Sequence, residues 1–369
     1  MTDEQYMKLA LKLAAKGRGY ASPNPMVGAV IVKNGRIIGR GCHHCCGQNH
    51  AEVNAISGAT EKVAGSTLYV TLEPCCHSGK TPPCTDLIIR SKIRRVVIAA
   101  ADSNPLVSCR GIACLEGAGI KVTRGVLEAE SRSLNEVFFH FMETGLPFIT
   151  VKYAQTLDGR IATATGNSQW ISSPDSLKFA HQLRAEHDAI LVDIGTVLQD
   201  NPTLTVRRVR GRNPLRIVVD SGLAIPATAN VLQDLSQIPT LIVTTKNDSD
   251  PQFRKLAATG VELITIEADD ERYIDLKKLL PILAGRNISS VLIEGGAQII
   301  TSALKDNLVN RLVTVIAPKI IGKGIEAVGD LHLRSLDDAK ILSVRKVIKK
   351  GVDLIMDCRL SPSSRSLQP

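Results

Sequence analysis

Apolar positions in the first 145 residues switch between helical and strand spacing. Over residues 3–16, Tyr6, Leu9, Ala10, Leu13 and Ala14 recur at three- and four-residue intervals, which predicts an amphipathic helix. Two short apolar runs follow, at 26–32 and 36–41. Asn34-Gly35 lies between them and predicts a hairpin. Further strands are expected over 67–72, 95–100 and 120–123, with helices starting near His50, after Cys84 and over 127–141. A hairpin followed by strand–helix repeats predicts an α/β sheet with helices on its faces.

Thr144-Gly145-Leu146-Pro147 interrupts this pattern, since glycine and proline stop a helix. The expected division is a domain over 1–145 and a second over 147–360, with a disordered polar tail at 361–369. In the second domain, strands are expected over 148–154, 189–192, 215–219, 240–244, 290–293 and 312–317, several of them separated by helical patterns.

Composition narrows the class. The 369 residues are 44% hydrophobic and 22% charged, and no stretch nears the roughly 20 apolar residues that cross a bilayer. The opening residues read as helix rather than signal peptide. A cytoplasmic globular protein is expected, without membrane partners. Nine cysteines in a chain of this size point to free thiols and metal binding rather than a disulfide framework. The net charge of +9 raises the question of nucleic acid. Aromatic content of 3% leaves few stacking platforms, and the charges are dispersed apart from residues 207–212. Small phosphorylated ligands account for the charge better, and no nucleic-acid partner is expected.

The candidate chemistry lies in two segments. His50-Ala51-Glu52 is followed by Pro74-Cys75-Cys76 and then by Cys84. His50, Cys75 and Cys84 can fill three positions of a tetrahedral Zn²⁺ and leave the fourth for water. Zinc lowers the pKa of such a water to about 7. Glu52 is then left to carry protons. This is the arrangement of zinc deaminases, H-x-E followed by paired cysteines, with eight residues between Cys75 and Cys84 instead of two. Residues two apart on a regular helix point about 200° away from each other. His50 and Glu52 must therefore stand at a helix start to serve one site. Cys76 and His77 adjoin Cys75 as rival ligands. Cys42-His43-His44-Cys45-Cys46 is a further dense cluster, expected in a loop beside the site.

Beyond the boundary the signals are weaker. Residues 291–297 form an apolar run ending in Glu294-Gly295-Gly296, a strand and turn that let backbone N–H groups approach a pyrophosphate. Arg184 and Arg207 are candidate phosphate clamps.

Residues 20–145 resemble the deaminase half of the bifunctional riboflavin-biosynthesis deaminase–reductase family. The motifs are Pro23-Asn24-Pro25-x-Val27-Gly28, His50-Ala51-Glu52-Val53, residues 71–84 with their long Cys75–Cys84 loop, and Asn104-Pro105. The later motifs resemble the reductase half: Lys152-x-Ala154-x-Thr156 through Ala162, Gly166-x-Ser168-x-Trp170, Gly195-Thr196 through Pro202, and Glu294-Gly295-Gly296. The resemblance implies a cytidine-deaminase-like three-layer α/β domain followed by a dihydrofolate-reductase-like domain. It also implies deamination of a phosphorylated aminopyrimidine and then NADPH reduction of its ribosyl carbon. His50, Cys75 and Cys84 would hold zinc, Glu52 would move protons and Asn24 would orient the pyrimidine. Ala154, Trp170, Thr196, Asp200, Ser221 and Gly296 would lie near the cofactor, and Ser168, Arg184, Arg207 and Glu294 would hold substrate. A homo-oligomer is expected.

Three positions depart from the family pattern: Asn49 and Cys109 replace a proline and a glycine, and Asp193 replaces a glycine near the expected cofactor. Two other readings are a nucleic-acid-editing deaminase and a zinc-binding regulator without catalysis. The first leaves the motifs after residue 150 unexplained, and the second has no need of Glu52.

Overall fold

The computed structural model describes residues 1–77, 82–104, 109–268 and 273–360. Motif positions Gly79-Lys80-Thr81 and Pro105, and the tail expected at 361–369, lie outside the described residues. The chain falls into two compact units, one ending at Leu146 and the other beginning at Pro147.

In the first unit, Thr2 and Gln5 form a capping box that starts α1 (Asp3–Ala14). The hairpin β1 (Gly28–Lys33) and β2 (Arg36–Cys42) closes on Asn34-Gly35, as the spacing predicts. Next come α2 (Ala51–Ser57), β3 (Thr67–Leu72), α3 (Cys84–Arg90), β4 (Arg95–Ala100), α4 (Arg110–Gly117) and β5 (Lys121–Thr123). The sheet order is β2-β1-β3-β4-β5. Strand β1 runs antiparallel to both neighbours, and β3, β4 and β5 are parallel.

Tyr6, Met7 and Ala10 of α1 pack on one sheet face with Val30, Tyr69 and Val97. Ala55, Ile88, Ile112 and Leu115 pack on the other with Ile31, Val70 and Ile98. The result is three layers, with burial of each large aliphatic side chain contributing roughly 1.5–3 kcal/mol. Met7, absent from the spacing argument, is fully buried.

Two expectations change here for one reason. The Asn135 side chain accepts from Met26 N–H at 2.7 Å and donates to its carbonyl at 2.9 Å. This draws Met26 out of the ladder, so the strand begins at Gly28. It also breaks the helix expected over 127–141 into α5 (Glu128–Leu134) and α6 (Glu136–Thr144).

The second unit contains β6 (Phe148–Thr156), β7 (Arg160–Thr163), α7 (Pro174–Glu186), β8 (Ala189–Asp193), α8 (Ile194–Asp200), β9 (Leu215–Val219) and β10 (Thr240–Thr244). It continues with α9 (Pro251–Ala257), β11 (Glu262–Thr265), α10 (Leu276–Gly285), β12 (Ser290–Ile293), α11 (Ala297–Lys305) and β13 (Arg311–Ala317). Three strands close it: β14 (Gly324–Glu326), β15 (Leu342–Lys350) and β16 (Asp353–Leu360). Nine strands form one sheet, β11-β10-β9-β8-β12-β6-β13-β16-β15, and β14 pairs with β7 apart from it. The pairs from β11 to β13 are parallel, while β16 is antiparallel to β13 and β15.

Strands β8, β12 and β6 are adjacent, so their carboxyl ends deliver Asp193, Glu294 and Ala154 to one crevice. Ligands of open α/β sheets bind in such a place. Among the described residues no helix is long and apolar enough to cross a membrane.

Candidate active sites

The first site assembles where β3 ends and where α2 and α3 begin. His50 is the N-cap of α2, with an extended backbone (φ −69°, ψ 163°), and Glu52 stands in the first turn. The non-helical cap residue is what lets two residues so close in sequence serve one site. Cys84 opens α3, and Cys75 follows β3.

One donor atom each from His50, Cys75 and Cys84 lies within 4.8 Å of the others. His50 Nδ1 is 3.3 Å from Cys84 Sγ and 3.5 Å from Cys75 Sγ, and Cys84 N–H donates to Cys75 Sγ at 3.4 Å. Cys76 and His77 stay out of this group. Among the described residues no second group of three such donors converges, so residues 42–46 do not assemble a metal site.

The electrostatics suit a cation. The hydrogen bond from the Cys84 thiol, helped by His50, brings the Cys75 thiol down to about 4 against the effect of burial. That same bond and burial push Cys84 up. The pair thus holds one proton between two sulfurs, and a divalent metal would displace it. Burial, and after it the charge on Cys75, push the Glu52 carboxyl up to about 7. Glu52 is 3% exposed.

Two supports were not read from the sequence. Glu73 is buried, and its Oε2 accepts from Asp102 N–H at 3.2 Å and Cys109 N–H at 3.0 Å, while Oε1 accepts from Ile112 N–H at 3.1 Å. A Cβ on Gly111 would come within 2.1 Å of the Pro74 carbonyl, so only glycine lets α4 approach. Together they clamp the Pro74-Cys75 turn. His43 is also buried: Nδ1 meets the Asn49 carbonyl at 3.1 Å, and Nε2 meets Asn24 Nδ2 at 3.2 Å. Burial lowers its pKa, so neutral His43 donates to Asn49 and accepts from Asn24, which fixes the Asn24 amide. Its pairing with the Asn49 carbonyl and the Asn24 amide separates His43 from the rest of its cluster, and no sequence pattern shows that pairing.

The second site is a cavity of about 760 Å³ in the other unit. Ala154, Ser168, Trp170, Arg184, Thr196, Asp200, Arg207, Glu294 and Gly296 line it together with Lys152 and His181. Ser221 is not on its wall; its carbonyl accepts from Thr244 Oγ1 at 3.1 Å and Thr245 Oγ1 at 2.9 Å.

Arg184 donates from Nε and Nη2 to both oxygens of Glu294, at 3.0 and 2.7 Å, and from Nη1 to the Thr205 carbonyl at 3.2 Å. Three of its five donors are spent, whereas Arg207 engages Nη1 alone, with the Thr203 and Thr205 hydroxyls, which leaves Arg207 the freer phosphate ligand. Arg207 N–H donates to His181 Nδ1 at 3.1 Å, and burial with Arg184 and Arg207 nearby pushes His181 down to about 4. Although burial opposes its charge, Arg184 and Lys152 hold Glu294 below the usual carboxylate range. Burial lowers the Lys152 ammonium, and the Glu294 charge offsets part of this. Ser168 donates to Asp200 at 2.9 Å.

Residues 1–100 match the cytidine and deoxycytidylate deaminase zinc-binding region, and residues 147–350 match the RibD C-terminal domain. The riboflavin biosynthesis protein RibD of Aquifex aeolicus is 47% identical, covering 96% of this chain and 97% of that protein. The chain belongs to the RibD family. Two solved structures agree with this. Acinetobacter baumannii RibD, at 33% identity, covers 98% of this chain and 99% of its own with a TM-score of 0.88. A diaminohydroxyphosphoribosylaminopyrimidine deaminase/5-amino-6-(5-phosphoribosylamino)uracil reductase from Thermotoga maritima, at 37% identity, covers 97% and 99% with a TM-score of 0.85. RibD membership accounts for the deaminase region and the reductase domain on one chain, and the nucleic-acid-editing alternative is not favoured.

Proposed function

We propose that the unit ending at Leu146 removes a ring amine from 2,5-diamino-6-ribosylamino-4(3H)-pyrimidinone 5′-phosphate as ammonia. The unit from Pro147 onward then reduces the ribosyl group of the product to a ribityl chain, with NADPH as the hydride source. The convergence of His50, Cys75 and Cys84 beside buried Glu52 carries the first half of this reading. The donor set, two soft thiolates and an imidazole, suits Zn²⁺. When bound, zinc supplies the Lewis acidity that makes water a nucleophile at neutral pH. Glu52 would carry one proton of the attacking water to the ring nitrogen and then the second, released as the carbonyl forms and the C–N bond breaks, to the amine that leaves as ammonia. The buried Glu52 carboxyl stands beside the three donors, where it can pass protons in both directions. Asn24, fixed by His43, holds the pyrimidine edge.

In the second unit, NADPH supplies the hydride when bound, and the chain's residues position the reactants. Arg207 holds the substrate phosphate, assisted by the remaining donors of Arg184. Ala154, Trp170, Thr196, Asp200 and Gly296 border the cofactor, and Ser168 and Glu294 orient the sugar. Lys152 is better placed than Asp200 to give a proton to the sugar oxygen. Its ammonium is weakened by burial, whereas Asp200 already accepts from Ser168.

Self-association is part of this proposal, supported by the exposed apolar residues Val344 and Val347 on the edge strand β15. A cytoplasmic location is supported by nine free thiols. The test is the purified chain supplied with the diaminopyrimidine phosphate and NADPH and followed for ammonia and NADPH absorbance together. Ammonia release without NADPH oxidation would refute the second half, and neither signal would refute both.

A further inference from the structure

Asp193 ends β8 and caps α8. Its Oδ1 accepts from both the N–H and the O–H of Thr196, each at 2.9 Å. Both donors of Thr196 therefore end on one carboxylate. Its other oxygen faces the Gly295-Gly296 turn. A Cβ built on Gly296 would lie 2.8 Å from Asp193 Oδ2 and 3.2 Å from Thr196 Oγ1. Gly296 has an ordinary negative φ of −83°, so what a side chain there would meet is this carboxylate and not a strained backbone. The Asp193 side chain is half-buried and lines the second cavity.

A dinucleotide carries its negative charge on phosphates, and phosphates seek hydroxyl donors and backbone N–H groups at side-chain-free turns. Here that position already holds a fixed negative charge, with Thr196 taken. We propose that Asp193 is an internal competitor for the cofactor's pyrophosphate, so that this chain binds NADPH more weakly than the same cavity would without that charge. The inference rests on the reductase reading above. Asp193 is not a catalytic residue, because it acts on the anchoring phosphates and not on the reacting atoms. Like charges a few ångströms apart repel strongly where water is partly excluded, and added salt weakens the repulsion. A residue that only capped the helix would do the same work as asparagine, which separates the two roles.

Asp193→Asn keeps an oxygen for Thr196 and loses the charge, while Asp193→Gly loses both. NADPH dissociation constants of the full chain and of both variants, measured by fluorescence titration at low and high salt, test the proposal. Melting temperatures confirm that the variants fold. Both variants are expected to bind NADPH roughly tenfold or more tightly at low salt, with the gap narrowing at high salt. Reduced nicotinamide riboside, which is uncharged and lacks phosphates, is expected to bind all three alike. A folded Asp193→Asn with an unchanged or weaker NADPH affinity would overturn the proposal, and so would a gain confined to the glycine variant, which would signal room rather than charge. Either result leaves the reductase reading standing, because NADPH still binds. No NADPH binding by any of the three would overturn that reading and this inference with it.

Discussion

Glu52 shows how a single side chain is prepared by its surroundings. The same glutamate in water would be ionised throughout the neutral range. Burial and the Cys75 charge push it up to about 7, so the folded, metal-free chain keeps a proton that the unfolded chain releases near 4.5. The unfolded state then binds fewer protons at Glu52 between those values, and the stability this group contributes falls as pH rises through that window. The Cys75 thiol, brought down to about 4, contributes a slope of the opposite sign, so the test is a difference: in metal-stripped protein Glu52→Gln should gain melting temperature relative to the wild type as pH rises from about 4.5 to 7, and a pH-independent difference would refute the assignment. With zinc restored, Glu52→Gln should retain the metal and lose roughly a hundredfold or more of its ammonia release. Glu73 acts at the same scale through geometry. Gln at 73 leaves an NH₂ facing backbone N–H groups, a loss of about 1–3 kcal/mol. Zinc release to a chelator should be faster than in the wild type, while reductase turnover on deaminated substrate stays unchanged.

Among the elements, the helices matter more for where they begin than for their length. His50 at the α2 cap and Cys84 at the first residue of α3 are brought beside the end of β3 by packing on one sheet face. Apolar periodicity located these elements well, and β3, β4, β9, β10 and β12 run where their apolar runs predict. It failed where a polar side chain overrode it. Asn135 reads as an ordinary helical position, yet its amide satisfies Met26 from 109 positions away and splits the helix. Asn135→Ala should cost about 1–3 kcal/mol of stability and raise the deaminase KM, because Asn24 lies two residues from the clasp. An unchanged KM would refute that link. Strand β15 was missed for a different reason. It is an edge strand, wet along most of its length and interleaved with Arg345, Lys346, Lys349 and Lys350, so neither a period-two nor a continuous apolar signal survives.

For the whole molecule, the two sites rest on separate cores and use unrelated chemistry. Chelation of zinc should abolish ammonia release but leave NADPH oxidation intact when deaminated substrate is supplied; loss of both activities would show that the metal supports the whole chain. The sequence alone carried the residue types and spacings: His50-x-Glu52, the stretched Cys75–Cys84 interval, the break at Gly145 and Pro147, and the alternation of strands and helices. Those properties are local, since they depend on neighbours a few residues away along the chain. Tertiary structure decided which groups meet. It brought three donors to within 4.8 Å, gave Glu73 three backbone partners, spent two of Arg184's five donors on Glu294, and set Asp193 against the Gly295-Gly296 turn. Those outcomes depend on distances between residues far apart in the chain. Burial and charge then acquire values that no local pattern encodes.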